Sequence, residues 1–188
     1  RVLARAHKDL IWSRQRQVNR LRNQLREFYP AALTCFGSDL GSADALAVLD
    51  RAPSPEQGRT LTRSQIVAAL RRGGRRRNLE RRAEEISEGL HGSHLEAPQV
   101  LANAYGVSVK ALVAVLREIA AQIDELEREL DRSFRSHPDA EIYLSLPGLG
   151  DVLGARALGE FGDDRTRYAN PKSRKAYAGT APITKASG

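Results

Sequence analysis

The sequence predicts an all-α protein: a long helical, coiled-coil hairpin with a short-helix tip, followed by a domain that opens on a helix-hairpin-helix. Three observations carry this. Apolar residues recur at three- and four-residue spacing through two long stretches, Ser and Thr caps punctuate the region between them, and the alternating β-branched runs that mark strands are absent. Only Ala181-Pro182-Ile183-Thr184 has an extended character. With 188 residues and 41% hydrophobic content, the chain can build one or two domains with a core, although aromatics make up only 5%.

Four segments follow in order. Residues 1–30 read as the basic helix of the stalk. Ile11, Val18, Leu21, Leu25 and Phe28 keep mostly three–four spacing, Arg14, Arg16, Arg20, Arg22 and Arg26 occupy the other faces, and Pro30 ends the run. Residues 31–95 read as an Arg-rich insert of short helices, with starts signalled by Ser42, by Ser54-Pro55 and by Thr62. Gly73-Gly74 interrupts this insert, and a further helix is expected from about Asn78 to Leu90. Residues 96–137 carry the clearest periodicity: Tyr105, Val109, Leu112, Leu116, Ile119, Ile123, Leu126 and Leu130 step by four and three without exception. That is a coiled-coil seam, suited to pairing with the first helix and, over its remainder, with a second subunit. Residues 138–188 contain a short helix through Tyr143 and Leu144, the turn Leu146-Pro-Gly-Leu-Gly150, a helix from Asp151 to about Phe161 and another from Pro171 to Ala178.

Charge is segregated along these segments. Eight bases oppose Asp9 and Glu27 up to Pro30; ten arginines oppose Glu56 and Glu80 between Arg51 and Arg82; twelve acids oppose five bases from Ala83 to Glu141. The net charge of +7 therefore hides two basic surfaces and an acidic rod. A polyanionic partner is indicated, and nucleic acid fits better than membrane because no apolar run reads as long enough to span. The single Cys35 excludes an internal disulfide framework and suits a reducing cytoplasm.

Two features point to nucleic acid. Arg71, Arg72, Arg75, Arg76, Arg77, Arg81 and Arg82 surround the two glycines with only Glu80 among them, and such a group repels itself unless an anion balances it. The contacts would hold phosphates without reading sequence. In the turn at 146–150, an apolar residue to bury, a proline that stops one helix, and Gly148 and Gly150 as residues tolerant of positive φ would leave backbone N–H groups facing a phosphate. Gly154, Ala155, Ala157 and Gly159 downstream allow close helix packing. Glu88, His91 and His94 have no standard metal-ligand spacing, and Glu160, Asp163 and Asp164 read as a helix end and turn, so no metal site is assigned. Ser187 has no activating partner within a few residues.

Leu146–Gly150, Gly159-Glu-Phe-Gly-Asp163, Lys175-Ala-Tyr-Ala-Gly-Thr-Ala-Pro182 and Ser187-Gly188 closely resemble the C-terminal transposase domain of the IS110 (also IS116 and IS902) insertion-sequence family, with the Piv-type DNA invertases as its relatives. Ala4-Arg-Ala-His7, Val18–Arg22 and Arg26–Ala32 are similar to the segment that follows the family's acidic catalytic domain. The resemblance implies a recombinase with a composite site. A RuvC-like domain with a DEDD carboxylate set binds Mg²⁺, a transposase-domain serine forms a covalent link to DNA, and a coiled coil assembles dimers or tetramers. A structured bridge RNA pairs with donor and target DNA.

Carried onto this chain, the serine falls on Ser187, and Lys172, Arg174 and Lys175 join the arginine cluster as nucleic-acid contacts. The DEDD domain is expected before Arg1 and more of the transposase domain after Gly188, so the Mg²⁺ is expected outside this chain, which alone would be inactive. The implied setting is the bacterial cytoplasm, associated with the nucleoid. The rival expectation is a non-catalytic, dimeric helix-hairpin-helix DNA-binding or architectural protein; a coiled-coil scaffold with an incidental basic surface is the third.

Overall fold

A computed structural model describes residues 1–94, 97–164 and 166–182. Among them the chain is all-α, with ten α-helices and no strand. The helices are α1 (Val2–Phe28), α2 (Pro30–Phe36), α3 (Ala43–Arg51), α4 (Pro55–Thr60), α5 (Arg63–Arg72), α6 (Leu79–His91), α7 (Gln99–Arg135), α8 (Ala140–Leu144), α9 (Asp151–Phe161) and α10 (Pro171–Tyr177). They form two compact units, one of residues Asp9–Asp124 and one made of Arg1–Lys8 with Glu125–Gly188, so α1 and α7 each contribute to both.

Local chemistry explains most boundaries. Ser42, Ser54 and Thr62 each accept a hydrogen bond from a backbone N–H in the first turn of α3, α4 and α5, and Gln65 returns the bond to the Thr62 backbone to complete a capping box. Asn170 does the same for α10, accepting from the Ser173 N–H at 2.9 Å. Pro30 has a second role beyond ending α1. It occupies the first position of α2, where its fixed φ and missing N–H cost nothing, and the chain restarts as helix after a single residue.

In the 9–124 unit, α1 supplies Leu21, Leu25, Phe28 and Tyr29 to a core completed by Leu49 of α3, Ile66 and Leu70 of α5, Ile86 and Leu90 of α6, and Val109 and Leu116 of α7. Full burial of each such side chain is worth about 1.5–3 kcal/mol. Phe28 stacks on Tyr105 with ring centroids 5.1 Å apart, and Gln24 Nε2 donates to Ser108 Oγ at 2.9 Å. Gly58 lies so close to the buried Tyr29 hydroxyl that a Cβ there would overlap it. The periodic residues of α7 thus have a use inside this chain. Val109, Leu112 and Leu116 are buried, while Ile119, Ile123 and Leu126 are half-buried. One sequence expectation needs correcting: α7 contains an 18-residue window long and apolar enough to cross a membrane by length and composition. The Val109–Leu116 face of that helix is spent on a protein core.

In the other unit, Leu130 and Phe134 of α7 pack with Ala4 of α1, Ala140 of α8 and Ala155 of α9. The small residues of α9 are used as expected: a Cβ on Gly154 would come within 2.6 Å of the Phe134 ring, and one on Gly159 within 3.3 Å of the Arg1 Cα. Arg5 grips Glu160 through Nε and Nη2 at 3.1 and 3.0 Å. His7 is buried, with Nδ1 placed 3.0 Å from Arg156 Nη2.

Candidate nucleic-acid interface

The arginine cluster sits where α5 turns into α6. Ile66, Ala69 and Leu70 of α5 pack in the core that Ala83, Ile86 and Leu90 of α6 also enter, and Arg63 pairs with Glu84 at 3.2 Å to tie the two helices together. Between them Gly74 takes φ +94°, and Asn78, with φ +53°, is the only non-glycine residue in the left-handed region among the described residues. This tight reversal brings the end of one helix beside the start of the next, so all seven arginines belong to one short stretch of surface.

They are not equivalent. Arg75 places both Nε and Nη2 2.6 Å from Asp44 Oδ2, on the first turn of α3. Arg82 reaches Glu85 at 3.1 Å, donates to the Cys35 carbonyl at 3.1 Å and lies over the Phe36 ring at 5.9 Å. Arg81 binds the other oxygen of Glu85 at 3.2 Å. Hydrogen bonds first from Arg82 and then from Arg81 hold the Glu85 carboxyl below its ordinary range. The self-repulsion expected from sequence is therefore relieved in part within the fold, by Asp44 and Glu85. Arg72 bonds only the Ala68 carbonyl of its own helix, at 3.4 Å. Arg71, Arg76 and Arg77 are exposed, and among the described residues their guanidinium groups meet no acid and no carbonyl. Four of the seven are thus free of ion pairs, and three of those four are wholly unspent.

The turn at 146–150 differs from expectation in detail. Gly148 adopts φ +80°, which requires glycine, whereas Gly150 is extended and simply precedes α9. Leu146 is 50% exposed where burial was expected. No side chain caps the first turn of α9, yet Asp151 stands there, held by Arg135 Nη2 at 2.7 Å. A carboxylate already faces the positive end of this helix, which weakens the case for a phosphate there.

On α10, Lys172, Arg174 and Lys175 are all exposed. Arg174 lies over the rings of Tyr168 and Phe161 at 5.2 and 5.8 Å. Ser187 lies outside the described residues, as do Ile183 and Thr184 of the stretch read as extended. Among the described residues no group of three His, Cys, Asp or Glu side chains is placed to hold a metal ion. Glu160 is taken by Arg5, and Asp164 Oδ1 accepts from the Thr166 backbone and hydroxyl at 2.8 and 2.6 Å.

Sequence reading missed two groupings. The buried pair of His7 and Arg156 joins residues 149 positions apart and has no local signature. The cluster of Arg167, Tyr168, Arg174, Tyr177 and Phe161 does have one, the interleaving of bases and tyrosines in 165–168 and 174–177.

Residues 140–188 match the model of the transposase IS116/IS110/IS902 family. Over its whole length the chain is 42% identical to a Streptomyces coelicolor protein assigned as the IS117 mini-circle transposase, covering 46% of that protein. It is 32% identical to the 44.8 kDa protein of insertion element IS116 from Streptomyces clavuligerus and 29% identical to the 43.6 kDa protein of IS110 from Streptomyces coelicolor, covering 46% and 45% of them. The chain spans about half the length of the curated relatives it matches. No solved structure matches it.

Proposed function

Because the chain belongs to the IS116/IS110/IS902 transposase family, we propose that it is the nucleic-acid-gripping and subunit-assembling part of a DNA transposase. The observation that carries this reading is the family match over 140–188, which runs through the position of Ser187. The unspent arginines support the gripping role: Arg71, Arg76 and Arg77 form a cationic surface that the chain itself leaves open, and a phosphate backbone is the polyanion a transposase must hold.

In this reading Arg71, Arg72, Arg76 and Arg77 hold DNA or a structured guide RNA, with sequence choice left to base pairing in the RNA. The exposed Lys172 and Lys175 of α10 are a separate cationic group for nucleic acid. The half-buried remainder of the α7 seam, Ile119, Ile123 and Leu126, faces a second copy in a homodimer or tetramer. Ser187 is the nucleophile. Its oxygen forms a bond to phosphorus, the bond from phosphorus to the leaving sugar oxygen breaks, and the serine proton ends on that oxygen.

Mg²⁺, which the family would use to offset phosphate charge, does not fit the carboxylates described here. Glu160, Asp151 and Asp164 are held by Arg5, by Arg135 and by the Thr166 turn. In this reading its ligands would come from residues outside this chain.

The test uses the full-length protein. Ser187→Ala is expected to abolish the covalent protein–DNA adduct, read as a shifted band on a denaturing gel, while leaving nucleic-acid binding within twofold. An adduct that survives the substitution removes Ser187 from the chemistry and leaves the non-catalytic DNA-binding reading.

A further inference from the structure

The residues that follow α9 make an arrangement that neither the family match nor the arginine cluster accounts for. From Arg165 to Gly188 the sequence contains six bases and no acid. Within that run, the side chains of Arg167, Tyr168 and Tyr177 converge on the last carbonyls of α9. Arg167 Nη1 donates to the carbonyls of Glu160 and Phe161 at 3.2 and 2.9 Å, the Tyr168 hydroxyl donates to Phe161 at 3.3 Å, and the Tyr177 hydroxyl to Glu160 at 3.2 Å. These bonds satisfy the unpaired carbonyls at a helix end and pin both tyrosines by their hydroxyl edges.

Pinned this way, the rings become a platform. Arg167 lies over Tyr168 and Tyr177 at 5.3 and 4.9 Å, and Tyr168 and Tyr177 sit 5.5 Å apart. Arg174 covers Tyr168 from α10. A helix cap explains the hydroxyl bonds and Arg167. It does not explain Arg174, whose guanidinium hydrogen bonds to no acceptor among the described residues, nor why Tyr177 stays 47% exposed with Lys172 and Lys175 exposed on the same short helix. Stacking on tyrosine leaves the edge donors of an arginine free for a phosphate, and an open tyrosine face accepts a base.

We infer that the Tyr168–Tyr177 platform with Arg174 binds an unpaired nucleotide, its base stacked on Tyr177 and its phosphate held by Arg174 and the α10 lysines. The ligand class is single-stranded nucleic acid, because in a duplex the base faces are already covered by their neighbours. This deepens the reading of the chain as a nucleic-acid-gripping segment and rests on it, but it assigns a different surface and a different strand state from the α5–α6 arginines.

The experiment compares short single-stranded DNA, single-stranded RNA and blunt duplex DNA, each labelled for anisotropy, with a 2-aminopurine placed in the single strands to report stacking. The full chain is expected to quench 2-aminopurine. Tyr177→Ala should weaken single-strand binding about 5- to 150-fold and remove the quenching, while duplex affinity stays within twofold. Tyr177→Phe keeps the ring and should retain both signals. Should Tyr177→Ala unsettle the end of α9 by circular dichroism, Tyr177→Leu preserves the apolar bulk without a π face and should show the same selective loss. The tighter of the two single strands names the source of the nucleotide.

Equal affinities of Tyr177→Ala and Tyr177→Leu to the parent chain for single strands, or equal losses on single strand and duplex, would overturn the platform and leave the phosphate-gripping role standing. No binding of any of the three ligands at low ionic strength would overturn both.

Discussion

Two triple variants remove the same charge from the same stretch of chain and should behave differently. Arg71, Arg76 and Arg77 replaced by Gln lower the formal charge of +7 by three, and so do Arg75, Arg81 and Arg82 replaced by Gln. Among the described residues the first set has no acid partner, whereas the second is bound to Asp44 and Glu85. Each phosphate contact contributes about 0.9 to the slope of log affinity against log salt on duplex DNA, so losing the first set should flatten that slope by about 2.7. Over a fourfold rise in salt, the parent chain would then lose about 40-fold more affinity than the variant. The second set should leave the slope within about 0.5 of the parent, since those arginines spend their charge on the fold. Its signature is instead a loss of stability, because Asp44, whose side chain is 13% exposed, is left without its cation at a cost of about 1–3 kcal/mol. Anisotropy titrations across a potassium chloride series, with urea unfolding alongside, read both effects. Identical slope changes in the two triples would show that net charge alone governs binding and would refute the division of the cluster into spent and unspent arginines.

Other positions give independent checks. Gly58→Ala places a methyl against the buried Tyr29 hydroxyl and should destabilise the 9–124 unit by about 1–3 kcal/mol in urea unfolding; Tyr29→Phe, which deletes a hydroxyl with no hydrogen-bond partner among the described residues, should rescue part of that loss in the double variant. Simple additivity would deny the overlap. Thr62→Ala removes the side-chain half of the α5 capping box, leaving the bond from the residue 62 backbone N–H to Gln65, and should cost about 1 kcal/mol, read as a lower urea midpoint at unchanged slope. Burial first, and then Arg156, hold His7 below its ordinary value of 6.5, so the unfolded chain takes up the proton more readily than the folded one. Stability should therefore be complete above pH about 7 and fall as the pH drops through 6.5, and His7→Gln should remove that fall. An unchanged acid dependence in the variant would assign it to other groups.

The long helices and most caps are legible in the sequence because they depend on neighbours three or four residues away. Ser42, Ser54 and Thr62 announce α3, α4 and α5, and the four–three steps from Tyr105 to Leu130 announce α7. Pro30 misleads because the same residue suits both the end of one helix and the first position of another, and only packing of Ala31, Ala32 and Phe36 into the core selects the second use. The seam is read correctly as apolar and helical, yet periodicity does not say whether its partner lies in the same chain, and Val109 to Leu116 are taken by α1 and its neighbours. The arginine cluster shows the same limit. Its density is visible at once, but the pairing of Arg75 with Asp44 spans 31 residues, and nothing local distinguishes Arg75 from Arg76. Gly148 is legible as a residue that must be glycine; Gly150 and Leu146 follow a motif shape that the backbone does not fully use.

The smaller unit is assembled from residues 1–8 together with 125–188, and its two pieces are stitched by Arg5 to Glu160 and by His7 to Arg156. A ribosome emits the first piece more than a hundred residues before the second, whereas residues 9–124 emerge as one uninterrupted length. Vectorial synthesis therefore lets the larger unit fold while the opening turns of α1 wait, half their helix already anchored, for the remainder to arrive. Anything that halts translation between Asp124 and Phe161 would release a polypeptide with a finished 9–124 core and an orphaned strip carrying Ala4 and His7 into water.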